Sequence, residues 1–291
     1  MKLATYKHQH RVQVGAVVEK HVVSLAEVAP DMISLIAQGA DGLARAAEVV
    51  ARGETAVPLA EVHLMAPIPT PPRNVMCLGL NYARHAAESY AAKGRAASLP
   101  TVPIIFTKAP TAVIGPTDAI PFDAAVSSEI DWEVELAVII GRRGKNITAE
   151  NALAHVFGYT VLNDVSARDL QMAGKQYFKG KSLDGGCPMG PWIVTADALP
   201  DPYALRLTCR VNGVLKQDSA DESMIFDIPT TIAYLSKGMT LLPGDVIATG
   251  TPSGVGFART PPEFLRPGDV LESEIEGIGI MRNEVTAAAD G

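Results

Sequence analysis

The feature that most constrains the fold is a series of short β-rich segments, punctuated by glycine and proline, that fills the chain after residue 75. Segments rich in Val, Ile and Thr at this spacing are typical of a β-roll or a sandwich-like core rather than of a βαβ sheet. One helix pattern interrupts the series, IPTTIAYLSKG at 228–238, with Gly238 as a C-cap. The predicted fold class is therefore α+β, mainly β. The segments are VMCLGL, PIIFTKAP, DWEVELAVIIG, VFGYTVLND, PWIVTAD, LRLTCRVNG, DVIATGTPSGVG and DVLESEIEGIG.

The first 65 residues have a different pattern and predict a small N-terminal α/β domain. Two strand-like stretches, KLATYK and VQVGAVVE, precede helical stretches around MISLIAQG and GLARAAEVVARG. The segment at 66–75, APIPTPPRNV, contains four prolines, which disfavour both helix and sheet pairing. We therefore predict domains at 1–65 and 76–291, joined by a Pro-rich linker at 66–75.

Charge and hydropathy exclude several classes of protein. The net charge of −7, without a basic run, argues against a nucleic-acid partner. The longest apolar runs, such as 136–140, are far shorter than a membrane span, and the first residues lack the apolar core of a signal peptide. We expect a cytoplasmic protein with no membrane partner. The three cysteines are too few and too widely spaced for a disulfide framework or a thiolate zinc site.

Two glutamates in the segment DWEVELAVIIG are the first candidates for chemistry. Side chains alternate between the faces of a strand, so Glu133 and Glu135 point the same way. Two carboxylates at such a short separation repel each other, and a cation would relieve the repulsion. The alternative is an exposed strand edge with two ordinary glutamates. Asp164, at the end of FGYTVLND, offers a third oxygen ligand, and three such ligands suit Mg²⁺ or Mn²⁺ rather than zinc.

A histidine and a glutamate in LNYARHAAESY form the second candidate group. On a helix over 82–91, His85 and Glu88 would be i and i+3 neighbours, so the carboxylate could orient the imidazole as a general base. A surface pair without function has the same spacing. The following AAESYAAKGRAASLP is small and polar, which favours a mobile lid.

Two glycine-rich segments offer groups that could bind an anion. Lys181, in FKGKSLDGGCPMGPW, could supply positive charge to a developing oxyanion, although a lone lysine is more often a surface group. The loop ATGTPSGVG would let backbone amides and the Thr251 hydroxyl approach an anion, unless it is simply a turn between strands.

Seven segments, in order along the chain, resemble the fumarylacetoacetate hydrolase family, in particular its shorter, acylpyruvase-like members. The resemblance runs from about residue 66 to 285. It implies a mixed β-roll or β-sandwich fold with a small N-terminal α/β domain, a homodimer, and one Mg²⁺ or Mn²⁺ per subunit at Glu133, Glu135 and Asp164. The segments are NYARHAAE, FTKAPTAVIGP, SSEIDWEVELAVIIG, LNDVSARDLQ, GKSLDGGCPMGP, TGTPSGVG and PGDVLESEIEGIG.

The resemblance also implies roles for residues around the metal. His85 and Glu88 match a dyad that becomes ordered on ligand binding. Four other residues match positions around the substrate, although one of them, Arg168, could do no more than brace the metal-site loop. The chain departs from fumarylacetoacetase itself in having a shorter N-terminal part and Asn81 in place of an aspartate. The four residues are Lys181, Arg168, Gln171 and Thr251.

Several reactions are compatible with this site, because a shared fold does not decide the reaction. Our first hypothesis is hydrolysis of a C–C bond in a 2,4-dioxo acid of the acylpyruvate or fumarylpyruvate type, as in aromatic catabolism. There His85 would activate water and Lys181 would stabilise the oxyanion. The alternatives are decarboxylation of oxaloacetate, and isomerisation or hydration of a hydroxymuconate or of 2-hydroxyhepta-2,4-diene-1,7-dioate. A non-catalytic module that binds a metal or a small acid would leave this dyad and lysine without a purpose. In each enzymatic case the partner is a small 2-oxo acid, whose chain beyond C4 would be recognised by the lid and by the residues around Tyr177 and Phe257.

Overall fold

The computed structural model describes residues 1–53 and 56–288, and its secondary structure is mainly β. Strands are numbered in chain order: β1 (Lys2–His8), β2 (Arg11–Val18), β3 (His21–Ser24), β4 (Ala56–Pro58), β5 (His63–Leu64), β6 (Val75–Gly79), β7 (Ile104–Lys108), β8 (Val113–Ile114), β9 (Ile120–Phe122), β10 (Ile130–Asp131), β11 (Val134–Ile140), β12 (Gly144–Lys145), β13 (Val156–Asn163), β14 (Ser166–Ala167), β15 (Cys187–Thr195), β16 (Leu207–Val211), β17 (Val214–Asp218), β18 (Thr240–Leu241), β19 (Val246–Ala248), β20 (Val270–Ile275) and β21 (Gly279–Ala287).

Short helices connect these strands. The α-helices are α1 (Met32–Ala37), α2 (Gly39–Arg52), α3 (Ala83–Ala92), α4 (Ala149–Ala152), α5 (Arg168–Ala173), α6 (Phe178–Lys181) and α7 (Ile228–Ser236). Single 3₁₀ turns lie at Leu59–Glu61, Pro110–Ala112, Leu153–His155, Ala196–Ala198 and Gly256–Ala258. The helix predicted at 228–238 is α7, and Gly238, just after it, has a φ of 75°, as expected of a residue that ends a helix.

A large sheet joins the N-terminal part of the chain to the rest. Its main path runs β4-β3-β2-β1-β15-β13-β11-β19-β6-β7, with β5 added to β1 and β8 to β15. The junction is the antiparallel pairing of Lys2 with Val194 and of Leu3 with Ile193. The sheet therefore continues across the predicted boundary at 66–75, and the division into two domains stays a prediction.

Alternate residues of β11 pack into two different hydrophobic cores. Leu136 and Val138 belong to one core, whereas Ala137 and Ile139 face the other, which also contains residues of the N-terminal strands. This strand is buried along its whole length. Because successive side chains of a strand point to opposite faces, Glu135 lies on the face of Ala137. The charged start of β11 is thus held by packing on both sides.

A second sheet completes the predicted roll and sandwich. Its five strands run β17-β16-β20-β21-β9, and its residues contribute to the core that contains Leu136. Two-stranded pairs are formed by β10 with β14 and by β12 with β18. The three cysteines are buried and free. Among the described residues, the helices are too short or too polar to cross a membrane.

Candidate metal centre and active site

Three carboxylates meet where β11 and β13 lie side by side. Val134 pairs with Asn163, and the amide of Asp164 donates to the carbonyl of Glu133 at 2.8 Å. Glu133, Glu135 and Asp164 each place an oxygen atom within 4.8 Å of the other two. All three residues are buried. The structure thus brings together the three residues that the sequence proposed as metal ligands.

Glu135 is the member of this triad whose charge the protein does not neutralise. It is 1% exposed, and its Oε2 accepts from the Gly250 amide at 2.8 Å. In the described part of the chain it has no cationic partner. Burial, together with the charges of Asp164 and Glu133, raises the pKa of Glu135 well above its usual range. An isolated buried carboxylate is costly, so this donor set fits a hard divalent cation such as Mg²⁺ or Mn²⁺.

The other two carboxylates are held by buried lysines. Lys181 Nζ lies 2.8 Å from Glu133 Oε2 and 2.7 Å from Asp164 Oδ2. Lys108 Nζ contacts Asp164 Oδ1 at 2.5 Å and the Val165 carbonyl at 3.0 Å. Burial opposes the charge on Lys181, but Asp164 and Glu133 outweigh it and raise the Lys181 pKa. Lys181 therefore keeps its proton and is a hydrogen-bond donor rather than a base.

Arg168 braces the same group from the opposite side. Its Nη1 lies 2.6 Å from Glu133 Oε1, and its Nε donates to Asp131 Oδ2 at 2.8 Å. Burial opposes ionisation of Glu133, but Lys181 and Arg168 outweigh it and hold the Glu133 pKa well below its usual range. Because its guanidinium is engaged by protein carboxylates, Arg168 has the bracing position that the sequence allowed. A direct contact with substrate stays a prediction.

His85 and Glu88 form the expected pair on α3. His85 Nδ1 lies 2.9 Å from Glu88 Oε1, and the imidazole is buried. Glu88 is also fixed from its other side, because the Gly254 amide donates to its Oε2 at 2.9 Å. Tyr82, the residue before α3, forms a β-bridge with Met224, and the Asn81 side chain donates to the carbonyls of two neighbouring loops. The start of the helix is thus attached to the core, while residues 91–99 beyond it are exposed.

The loop over 249–257 holds the protein's own carboxylates. Its amides donate to Glu135 from Gly250, to Glu88 from Gly254, to Glu222 from Ser253, and to Asp131 from Gly256 and Phe257. The sequence predicted that this loop would approach an anion, and in the structure the anions are these four side chains. Backbone amides in such a loop attract carboxylates as they would attract a ligand.

Thr251 has a different contact from the one expected. Its hydroxyl donates to the Val134 carbonyl at 2.9 Å and accepts from the side-chain Nε2 of Gln217 at 2.7 Å. The hydroxyl proton is therefore engaged within the protein. The residue lines the pocket, and its role in binding substrate stays a prediction.

A pocket opens over Glu133 and Lys181. Gln171 accepts from Arg168 Nη1 through its Oε1 at 3.0 Å, which leaves its amide nitrogen for another partner. Tyr177 and Phe257 line the same pocket, in agreement with the position proposed for the distal part of a substrate. The residues predicted from the sequence that line it are His85, Glu133, Arg168, Gln171, Lys181, Thr251, Tyr177 and Phe257.

Two charged residues that form ion pairs with residues of the site, Asp131 and Lys108, were not identified from the sequence. Asp131 stands two positions before Glu133 in DWEVE, so the alternation that marked the two glutamates also marks Asp131. Lys108, at the end of β7, is a single lysine in a strand and carries no local signal. Its burial between the strands follows from tertiary packing alone.

The chain is similar to known enzymes over most of its length. The family model described as Fumarylacetoacetate (FAA) hydrolase C-terminal matches residues 74–286. The chain is 43% identical to oxaloacetate tautomerase YisK of Bacillus subtilis, over 98% of this chain and all of that protein. It is 44% identical to human mitochondrial oxaloacetate tautomerase FAHD2A, over 87% of this chain and 79% of that protein. Maleylpyruvate hydrolase from Sphingobium sp. SYK-6, solved with manganese(II) and pyruvate, has a TM-score of 0.80 and 32% identity, over 99% of this chain and all of that one.

Proposed function

This chain belongs to the fumarylacetoacetate hydrolase family, and from that premise we propose that it is a divalent-metal-dependent tautomerase that interconverts the keto and enol forms of oxaloacetate. The full-length likeness to the tautomerase of Bacillus subtilis carries this choice of reaction, because the fold alone hosts several reactions. We therefore propose tautomerisation in preference to hydrolysis, which was the first hypothesis from the sequence.

The reaction needs two proton movements and a positive charge. Going from keto to enol, a base takes one proton from C3 and a solvent water molecule supplies another to the 2-oxo oxygen, and no bond between heavy atoms is broken. Glu133, Glu135 and Asp164 would hold a Mg²⁺ or Mn²⁺ ion, whose charge would stabilise a negative oxygen of the substrate.

His85 is the group placed to move the C3 proton. Its Nδ1 faces Glu88, so Nε2 is the ring nitrogen left to take the proton from C3 and to return it. Glu88 fixes the ring and stabilises the charge that the imidazole acquires. In the reverse direction the same imidazolium donates to C3.

Lys181 supports the oxygen end of the reaction. An ammonium group has three N–H donors, and two of them are engaged by Glu133 and Asp164. The third can donate to the 2-oxo oxygen as negative charge develops there.

Hydrolysis of a C–C bond in a 2,4-dioxo acid is the second candidate. It is favoured by the His85–Glu88 pair, which could activate a water molecule as well as move a carbon-bound proton. The likeness to maleylpyruvate hydrolase points the same way. The same residues would then release pyruvate from an acylpyruvate substrate.

One panel separates these reactions. Purified protein with Mn²⁺ or Mg²⁺ would be mixed with enol oxaloacetate. The decrease in ultraviolet absorbance would measure the loss of the enol, and deuterium incorporation at C3 in D₂O would measure proton exchange. Tautomerisation predicts a faster approach to the same keto–enol equilibrium, without CO₂ or pyruvate. CO₂ release would identify a decarboxylase, and pyruvate from acetopyruvate or maleylpyruvate would identify a hydrolase. If the enol decays no faster than in a Glu133→Gln control, the tautomerase proposal is wrong.

Location and assembly are further parts of the proposal. We propose a cytoplasmic homodimer, although the human relative is described as mitochondrial. Light scattering of the purified protein measures the assembly, and a fluorescent fusion at the C-terminus reports the compartment.

A further inference from the structure

One cation that lines the pocket has no carboxylate partner among the described residues. Lys93 follows the last residue of α3 and lines the pocket with Glu133 and Lys181. In the part of the chain that the structure describes, it forms no ion pair, whereas Lys181 and Arg168 are both paired. This lysine is therefore free to bind an anion brought by a ligand.

Lys93 and Arg168 both lie close to the aromatic ring of Phe257. Lys93 Nζ lies 6.0 Å from the centroid of this ring, and Arg168 Cζ lies 4.4 Å from the same centroid. Partial burial, followed by the charges of Arg168 and Arg95, lowers the Lys93 pKa. An anion placed beside Lys93 would relieve this crowding of positive charge.

The charge balance of the site leaves room for one further cation. Asp131, Glu133, Glu135 and Asp164 face Lys108, Lys181 and Arg168, which leaves one negative charge. A divalent ion turns this into one positive charge, which the carboxylate beside the 2-oxo group cancels. A second carboxylate on the substrate would then add a negative charge that none of these groups balances.

We propose that Lys93 binds the distal carboxylate of the substrate and thereby selects 2-oxo dicarboxylates over 2-oxo monocarboxylates. This assignment rests on the proposed function, since oxaloacetate is such a diacid. His85 lies within α3 and Lys93 directly follows its last residue, so the helix that positions the base also positions the group that recognises the far end of the substrate.

The test compares two acids of equal length in binding to Mn²⁺-loaded protein. 2-Oxoglutarate and 2-oxopentanoate differ in whether the chain ends in a carboxylate or a methyl group. Calorimetric titration should show tighter binding of the diacid to the unchanged protein. In Lys93→Met its Kd should rise roughly 10- to 100-fold, the usual worth of a hydrogen bond to a charged group, with a change below about twofold for the monoacid.

Two further variants control for charge. Lys93→Arg keeps the positive charge and should retain most of the preference for the diacid. Lys175→Met removes an exposed lysine outside the pocket lining and should leave both Kd values unchanged. A parallel loss for both acids in Lys93→Met, or no loss, would overturn the assignment. The assignment would also be wrong if the wild-type protein bound the two acids equally well or bound neither.

The result is separable from the proposed reaction. If the diacid preference depends on Lys93 while oxaloacetate is not tautomerised, the recognition of dicarboxylates stands and the reaction is wrong. If oxaloacetate is tautomerised equally well by Lys93→Met, with an unchanged KM, the reaction stands and the role of Lys93 is wrong.

Discussion

The amide of Gly250 donates to Glu135 Oε2 at 2.8 Å and holds this carboxylate beside two others of the same charge. A single neutral donor positions the side chain but does not neutralise it. Glu135 thus lowers the stability of the metal-free protein, and it becomes a ligand when a cation binds. These two effects of Glu135 predict three measurable outcomes.

Glu135→Gln should stabilise the metal-free protein at neutral pH by about 1 to 3 kcal/mol, because it removes a buried carboxyl that the folded protein ionises less readily than the unfolded chain does. Glu133→Gln is the matched comparison and should destabilise by about 3 to 5 kcal/mol, since it leaves Lys181 and Arg168 short of a partner. Urea denaturation without metal measures both. The rise in melting temperature that Mn²⁺ causes should disappear in both variants. Equal destabilisation by the two substitutions would contradict this account of Glu135.

The raised pKa of Glu135 predicts a pH dependence with a definite sign. When a carboxyl has a higher pKa in the folded state than in the unfolded state, its contribution to stability is complete below the unfolded pKa and is lost as pH rises. The difference in unfolding free energy between unchanged protein and Glu135→Gln should therefore grow as pH rises above about 4.5, the ordinary value for this group.

Metal binding should show the reverse trend over the same range. Glu135 must lose its proton to bind the cation, so Mn²⁺ affinity should increase with pH and binding should release a proton. Calorimetry in buffers of different ionisation enthalpy counts that proton. An affinity independent of pH would show that Glu135 is already ionised in the metal-free protein.

Glu88→Gln should lower kcat for the proposed reaction roughly 10- to 100-fold with little change in KM, because the imidazole loses the carboxylate that stabilises its protonated form. The amide of Gly254 keeps an acceptor in this variant, so the loop should stay in place. Steady-state kinetics with oxaloacetate, and circular dichroism to verify folding, measure the effect. Glu150→Gln, on an exposed turn of α4, is the control and should behave as the unchanged protein. A purely structural Glu88 would change stability but leave kcat intact.

Asp131→Asn should reduce stability by about 3 to 5 kcal/mol, because Arg168 would be left buried with one carboxylate partner fewer. The exposed pair of Arg206 and Asp218 offers the comparison, and Asp218→Asn should cost no more than about 1 kcal/mol. Chemical denaturation of the two variants side by side measures the contrast. Similar losses from both would mean that the Asp131 contact is no stronger than a surface ion pair.

Local sequence patterns predicted those parts of the site that lie within one strand or one helical turn. The alternation in DWEVE identified Glu133 and Glu135, and the i,i+3 spacing identified His85 and Glu88. Each of these signals depends only on the geometry of its own element. The mainly β fold was predictable for the same reason.

What the sequence could not show depends on contacts between distant elements. Lys108 meets Asp164 across 56 positions, and β1 joins β15 across most of the chain. The Thr251 hydroxyl was expected to face a ligand because its loop is rich in glycine, but a carbonyl of β11 accepts its proton. Burial and partner choice of this kind are decided by packing, which no single segment encodes.

The loop over 249–257 donates backbone hydrogen bonds to two carboxylates with different roles. Glu135 is a candidate metal ligand, and Glu88 orients the imidazole of His85. The shape of this loop is also tightly confined, since a Cβ on Gly254 would lie 2.1 Å from the Lys216 carbonyl oxygen. An engineer who wished to change the substrate range should therefore leave this segment alone. A remodelled loop would disturb ion and base together, whereas the outer end of α3 can be redesigned with the catalytic machinery intact.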